Sequence, residues 1–197
     1  MPRIGLVRKD RRRRDFLEAA GRCAGRMGFK DMTVDDVCSE AQLSKGAFYT
    51  YFAQKDDLLL ALFEDDARSL DDLMADLERR IPNNRERIRL YTQAVLAKSD
   101  NPAEVQVRAD IWTAIATDAA VRSSFAKIMK ARRVRLRSWI EGAIRTGELV
   151  DLPANALASI LLALSDGLLL QGSADPGAFR WGNIGKVLDV LLERVTP

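Results

Sequence analysis

Apolar residues recur every three or four positions along most of this chain of 197 residues. That spacing marks one face of an α-helix, and no stretch shows the sustained period of two that marks a β-strand. Prolines and glycines interrupt the pattern and mark the ends of the predicted helices. Outside the segment 33–53, we predict helices at about 8–27, 54–80, 84–98, 103–117, 120–145, 154–172 and 183–195. With two short helices inside that segment, the pattern predicts an all-α protein of about nine helices.

The segment 33–58 has the layout of two short helices joined by a tight turn. Thr33 and Ser44 stand where helix N-caps are expected. Phe48 and Phe52 are four residues apart, so they should share the buried face of the second helix. This layout is typical of a helix-turn-helix, in which the second helix enters the major groove of DNA.

In this region the chain resembles the TetR family of one-component transcriptional regulators. The residues that carry the resemblance keep a fixed register and are Gly28, Phe29, Thr33, Val34, Val37, Ala41, Leu43, Ser44, Gly46, Phe48, Tyr49, Tyr51, Phe52, Lys55 and Leu58. The chain departs from the family pattern at Gln42, where a turn glycine is usual, at Cys38, and at Gly21 and Gly25 in the first helix. The resemblance covers about the first third of the chain.

The resemblance implies two parts, a DNA-binding domain at residues 1–53 and a helical ligand-binding and dimerisation domain at residues 54–197. It implies a regulator that binds a palindromic double-stranded DNA operator as a homodimer, most simply a repressor released by a small-molecule effector. The DNA contacts predicted on this basis are Arg11, Arg12, Thr33, Ser44, Lys45, Gly46, Ala47, Tyr49, Thr50, Tyr51 and Lys55. Among them, Lys45 and Ala47 should face base edges, and Tyr49, Tyr51 and Lys55 should face phosphates.

Basic residues are concentrated at the start of the chain. Residues 1–14 contain seven basic side chains and one acidic one, although the whole chain has a net charge of only +3. A basic arm ahead of a helix-turn-helix can contact phosphates or the adjacent minor groove. The alternative is a solvated tail whose charge has no specific role.

The predicted eighth helix is apolar on nearly every side, so it must be covered on nearly every side. The family resemblance implies that this helix and the ninth form a four-helix interface between two copies, with Leu157, Ile160, Leu161, Leu164, Leu168, Ile184, Val187, Leu188 and Leu191 as the interface residues. The alternative is a core helix of a monomer. No membrane span is expected, because the apolar stretch 154–170 is shorter than the roughly 20 residues required.

A family effector would occupy a pocket among the later helices. The candidate pocket residues are Phe63, Tyr91, Ile111, Trp112, Ile115, Phe125, Met129, Arg132 and Trp139, although such side chains are also ordinary core residues. Arg132 interrupts an apolar stripe. It is a candidate cation for an anionic ligand, unless it pairs with an acid such as Asp110 or extends to the surface.

An enzyme is not expected. The chain has no histidine, which excludes histidine-dependent triads and histidine-ligated metal sites, and no cofactor motif is present. The two cysteines, Cys23 and Cys38, suggest buried reduced thiols, with a redox switch as the alternative. A cytoplasmic location follows from this cysteine usage and from the lack of a signal-peptide pattern. The competing function is a helical protein-interaction module with a vestigial helix-turn-helix.

Overall fold

The fold is a bundle of α-helices, and a computed structural model describes residues 3–98 and 101–194. The helices are α1 (Arg3–Met27), α2 (Val34–Ala41), α3 (Lys45–Tyr51), α4 (Asp56–Arg80), α5 (Asn84–Ala97), α6 (Pro102–Thr117), α7 (Ala119–Arg145), α8 (Ala154–Ala174) and α9 (Trp181–Arg194). A short 3₁₀ turn at Pro176–Ala178 joins the last two. Within the described ranges there is no strand, so the predicted all-α architecture is confirmed.

The N-caps of the two short helices are those predicted from the sequence. Thr33 Oγ1 accepts a hydrogen bond from the backbone N–H of Asp36 at 3.2 Å, and the Asp36 carboxylate accepts one from the N–H of Thr33 at 2.8 Å. Ser44 Oγ accepts from the N–H of Ala47 at 3.1 Å. These bonds satisfy backbone donors that have no partner within the helix, so they set where α2 and α3 begin.

The first helix begins earlier than predicted. Its first residue is Arg3 rather than a residue near Arg8, so the described part of the basic segment continues α1 and is not a separate arm. Between Arg3 and Met27 there is no proline, and leucine, arginine and lysine are all strong helix formers. Nothing in this segment therefore ends the helix.

The turn between α2 and α3 contains a strained residue. Gln42 has φ 55° and ψ 39°, the left-handed conformation in which a glycine is usual. Its N–H donates to the Ser39 carbonyl at 3.2 Å, and the N–H of Leu43 donates to the Cys38 carbonyl at 3.0 Å. The turn thus keeps the geometry of a glycine turn although glutamine occupies the position.

Replacing Gln42 with glycine should therefore raise the free energy of unfolding by about 1 kcal/mol, since glycine adopts this conformation without steric cost. Chemical denaturation of the two proteins would measure the difference. The matched control is Ser39→Gly, in the helical part of α2, which should instead lower stability by about 0.5 kcal/mol. If Gln42→Gly and Ser39→Gly lowered the free energy of unfolding equally, the left-handed conformation of Gln42 would not be a source of strain.

Among the described residues the hydrophobic core forms two clusters, and the first joins the DNA-binding segment to later helices. Around Phe16 and Phe48, buried residues of α1, α2 and α3 continue into Phe63 of α4, Ile111 of α6 and Met129 of α7. The second cluster fills the space between α4, α5, α7, α8 and α9. The first cluster crosses the boundary predicted after residue 53, and α1 packs on both α4 and α6.

Helix α8 has 21 residues and is long and apolar enough to cross a membrane by length and composition alone. The expectation that its apolar stretch is too short was therefore wrong, because the helix continues to Ala174. Core helices of folded proteins pass the same test. Here α8 packs along α7 and α6, and its Asp166 carboxylate faces the Arg108 guanidinium, so it is a helix of the bundle.

Candidate DNA-binding surface and effector cavity

Helix α3 has one buried face and one exposed face. Phe48 is fully buried and Phe52, the residue that ends the helix, nearly so. The exposed residues of α3 are Lys45, Gly46, Tyr49 and Thr50. The small side chains at its start leave the backbone accessible, which suits close approach to a duplex.

The buried aromatic residues hold α3 against α1. The Phe16 ring of α1 lies edge-on to the rings of Phe48 and Phe52, with centroid distances of 5.5 and 6.3 Å. Tyr51 also packs on Phe16, at 6.0 Å, and is half-buried. Of the two tyrosines predicted to reach phosphate, Tyr49 is thus the freer one, because 57% of it is exposed.

Lys45 forms a surface ion pair with Asp35. Its ammonium lies 2.7 Å from an Asp35 carboxylate oxygen, and both side chains are exposed. The hydrogen bond with Asp35 raises the pKa of Lys45, so the lysine is fully charged at neutral pH. Exposed pairs of this kind are weak, and Lys45 remains available to a DNA acceptor.

Lys55 has a structural role that the sequence did not reveal. Its Nζ donates to the backbone carbonyls of Phe29, Lys30 and Met32, at 3.1, 2.9 and 3.0 Å. It also lies 5.1 Å from the centre of the Phe29 ring. An ammonium has three N–H groups, so no donor is left for the predicted phosphate contact. Lys55 instead stabilises the loop between α1 and α2.

Further cations tie α1 to the helix-turn-helix. Arg22 and Arg26 both donate to the Glu40 carboxylate of α2, at 2.6 and 2.7 Å. These bonds lower the pKa of Glu40. Of the predicted arginine contacts, Arg11 is exposed and Arg12 half-buried, and both lie within α1.

A cavity of about 500 Å³ opens between α1, α4 and α6. It is lined by residues of those helices together with Lys98, Asn101 and Leu169. The full lining is Glu18, Gly21, Arg22, Leu62, Phe63, Asp65, Asp66, Ser69, Lys98, Asn101, Glu104, Val107, Arg108, Ile111 and Leu169. Three of these belong to α1, so the cavity touches the segment that carries the DNA-binding helices.

Only Phe63 and Ile111 among the nine predicted pocket residues line this cavity. The others belong to the core around it: Tyr91 and Trp139 pack edge-on in the second cluster, and Phe125 stacks on Phe63 and contacts Trp112. Ile115 and Met129 belong to the first cluster. Periodicity predicted that these side chains are buried but did not predict which of them border a void.

A network of charged side chains forms the polar part of the cavity. The Asp66 carboxylate accepts from Lys98 Nζ at 2.7 Å and from Arg108 Nη2 at 2.8 Å. Arg108 Nη1 lies 3.5 Å from Asp166. Burial raises the pKa of Asp166. Burial also opposes ionisation of Asp66, but Arg108 and Lys98 outweigh it and hold the pKa of Asp66 below its usual value.

Arg132 neither pairs with Asp110 nor extends to the surface, the two arrangements expected if it does not bind a ligand. It is only 3% exposed, so it does not extend to the surface. Its Nη2 donates to the Ala67 carbonyl at 3.4 Å, and its buried Nε has no hydrogen-bond partner among the described residues. Asp110 is engaged elsewhere, since it accepts from the N–H of Phe29 at 3.0 Å and from Gln106 at 3.2 Å.

Helices α8 and α9 present apolar side chains to solvent. Four of the predicted interface residues are exposed on this face, namely Ile160, Leu164, Val187 and Leu191, and Val190 and Leu170 are exposed as well. Leu161 and Leu188 are instead buried within their own chain, and Leu157, Leu168 and Ile184 are partly covered. This leaves an apolar face on α8 and α9 without a cover, here called the α8–α9 face.

The two cysteines are buried free thiols. Burial raises the pKa of both Cys23 and Cys38, so their reactive thiolate forms are disfavoured at neutral pH. Within residues 3–98 and 101–194, no three histidine, cysteine or carboxylate side chains are grouped as metal ligands would be. The candidate functional features are therefore the exposed face of α3 and the cavity between α1, α4 and α6.

Comparison with known proteins agrees with this geometry. Residues 16–62 match the sequence profile of "Bacterial regulatory proteins, tetR family", and residues 84–197 match "BetI-type transcriptional repressor, C-terminal". The chain belongs to the TetR family. The predicted resemblance is thus confirmed, and as a TetR-family member the chain is a DNA-binding transcriptional regulator and not an enzyme.

Individual relatives match nearly the whole chain. The transcriptional repressor AcnR of Corynebacterium diphtheriae is 25% identical over 99% of this chain and 97% of its own length. A TetR regulator from Haloarcula marismortui has the same fold, with a TM-score of 0.85 at 18% identity, covering 95% of this chain and all of the other. A regulator from Saccharomonospora viridis, solved with choline, has a TM-score of 0.78 at 24% identity, covering 92% and 95%.

Proposed function

We propose that this TetR-family protein is a cytoplasmic repressor that binds a palindromic DNA operator as a homodimer and is released by a small-molecule effector. Residues 1–53 would bind DNA, and residues 54–197 would bind the effector and the second copy. The observation that carries the proposal is the cavity, because its walls include both α1, which supports α3, and α4, which follows the helix-turn-helix. A molecule bound there contacts both helices and can change the position of α3.

The exposed face of α3 is the proposed reading surface. Lys45 would contact base edges, together with Ala47, which is half-buried against the first cluster and would present only part of its methyl group. Tyr49, Thr50 and the N-caps Thr33 and Ser44 would contact phosphates. The half-buried Tyr51 would supply only its hydroxyl. Arg11 and Arg12 would add charge from α1. Lys55 is not included, because its three N–H groups bind backbone carbonyls.

Replacing Lys45 with alanine should relax base preference, because a lysine that contacts a base edge distinguishes it from the other bases. We expect the ratio of affinities for the operator and a single-base variant to fall by roughly tenfold. Gel-shift titrations on both DNAs would measure it. The control is Lys130→Ala, an exposed lysine of α7. An unchanged ratio for Lys45→Ala would show that this lysine does not read bases.

The second copy of the chain would cover the α8–α9 face. A two-fold dimer places two α3 helices about one turn of DNA (~34 Å) apart, which is what a palindromic operator requires. The six exposed apolar side chains on these two helices supply the apolar core that a lasting interface needs.

Replacing Val187 with glutamate should make the protein monomeric, since each dimer would then bury two unpaired carboxylates. Val187 is 58% exposed in the single chain, so the substitution should leave the fold intact. Light scattering after size exclusion would report the mass. Val134→Glu is the control, because that valine is similarly exposed, at 53%, but belongs to α7 and not to α8 or α9. If both variants stay dimeric, the α8–α9 face is not the interface.

Choline, the molecule in the Saccharomonospora relative, is a poor guide to the effector of this chain. Quaternary ammonium groups are bound by cages of aromatic rings. Among the described residues that line the cavity, Phe63 is the only aromatic one. The effector is therefore expected to be recognised by the charged network and not by a cage.

Salt-sensitive binding to DNA upstream of the gene would test the proposed function. A gel shift over increasing salt should show affinity that falls steeply, as phosphate contacts require. DNase footprinting should then show two protected half-sites. Failure to bind any DNA near the gene would favour the alternative, an interaction module with a vestigial helix-turn-helix.

A further inference from the structure

We propose that the cavity between α1, α4 and α6 takes a small organic anion, a carboxylate with an apolar body, whose carboxylate binds Lys98 and Arg108. This inference rests on the proposed function, because it names the chemical class of the effector. It follows from the charges, the unused donors and the walls of the cavity.

The cations beside the cavity share few short contacts. Among the described residues, Lys98, Arg108 and Arg132 lie near two buried carboxylates, Asp66 and Asp166. Of these two carboxylates, Asp66 forms the short ion pairs, and it serves both Lys98 and Arg108. Glu104 reaches Lys98 at 3.2 Å from an exposed position at the rim. A further carboxylate inside the cavity would give Lys98 and Arg108 an acceptor beside the one they share.

Arg108 also has donors to spare. Its side chain is only 8% exposed, yet its contacts are one short bond to Asp66 and one contact of 3.5 Å to Asp166. A guanidinium has five N–H groups arranged to hold a carboxylate at two points. The remaining N–H groups of Arg108 have no acceptor among the described residues, and Arg108 lines the cavity. A carboxylate there would bind both Arg108 and the flexible ammonium of Lys98.

The other walls determine the rest of the molecule. Leu62, Phe63, Val107, Ile111 and Leu169 form an apolar surface on α4, α6 and α8. A cavity of about 500 Å³ lies in the range typical of small-molecule sites. An apolar chain or ring attached to the carboxylate would cover this surface and exclude water from the ion pair.

A cationic effector fits less well. Asp66 already accepts from two cations, and Asp65 accepts from Arg68 at 2.6 Å. Glu18 lies at the exposed rim. An ammonium group inside the cavity would have to displace Lys98 or Arg108 from Asp66 and leave a cation buried without a partner.

Thermal-shift measurements on the full chain would test the class of ligand. The probes are sets of three compounds with one skeleton, for example 3-phenylpropionate, 3-phenylpropionamide and 3-phenylpropylamine, over a range of skeleton sizes. We expect stabilisation by carboxylates and little by the matched amides or amines. Each stabilising carboxylate should bind Lys98→Gln about tenfold or more weakly, because a charge-assisted hydrogen bond is lost.

Two further variants separate binding from folding. Arg108→Gln should also weaken the carboxylates, whereas Arg137→Gln, at an exposed position of α7, should bind them as the natural protein does. Stabilisation by amines or amides, no stabilisation by any set, or carboxylate binding that survives both cavity substitutions would overturn the proposal. A different result would contradict the proposed function: the protein without ligand would fail to bind an operator as a dimer.

Discussion

Replacing Phe48 with alanine should lower the free energy of unfolding by about 3–5 kcal/mol and abolish operator binding. Phe48 is fully buried, with its ring centroid 5.5 Å from that of Phe16 and 5.4 Å from that of Phe52. Helix α3 has seven residues, far fewer than an isolated helix needs to be stable in water. Its position therefore depends on this ring, and urea denaturation followed by circular dichroism would measure the loss.

The neighbouring residue supplies the control for this experiment. Tyr49→Ala removes an aromatic ring from the same helix, but that ring is largely exposed. We expect the Tyr49→Ala protein to unfold with nearly the natural free energy. Its affinity should fall equally for every DNA sequence, because a phosphate contact positions the protein without reading bases. If Phe48→Ala unfolds at the same urea concentration as Tyr49→Ala, packing on Phe16 is not what holds α3.

The helix-turn-helix was predictable because its determinants are local. The caps Thr33 and Ser44 act within three residues, and the pair Phe48 and Phe52 lies one helical turn apart. Such features depend only on spacing along the chain, which the sequence displays directly. The length and order of the later helices were predictable for the same reason, since prolines and glycines mark their ends.

The cavity was not predictable because it depends on how distant helices are rotated against one another. Periodicity indicated that Trp139 and Tyr91 are buried, but both fill the core. Lys98 and Arg108, which carry the charged network, resemble ordinary surface residues in the sequence. Lys55 shows the same limit, because its three carbonyl partners lie 23 to 26 residues away. Contacts of this range follow from the packing of α1 and α4.

Replacing Asp66 with asparagine should also lower the free energy of unfolding by a large amount. In Asp66→Asn, Lys98 and Arg108 lose their shared carboxylate. Arg108 is left in the interior with the 3.5 Å contact to Asp166 as its remaining ion pair among the described residues. Removing one partner of a buried ion pair costs about 3–5 kcal/mol of stability, since the remaining charge is uncompensated. Urea denaturation at neutral pH would measure this loss. The control is Asp76→Asn, whose carboxylate pairs with two exposed arginines of α4 and should matter far less.

The difference in free energy of unfolding between the natural protein and Asp66→Asn should depend on pH, because it arises from the charge of Asp66. The pKa of Asp66 is lower in the folded protein than its usual value, so its contribution is complete above about pH 4 and decreases as the pH falls through the lowered pKa. The natural protein and Asp66→Asn should therefore converge in stability in acid. A gap between Asp66→Asn and the natural protein that is constant with pH would indicate lost packing, and the ion pairs would not be what holds α4 to α6.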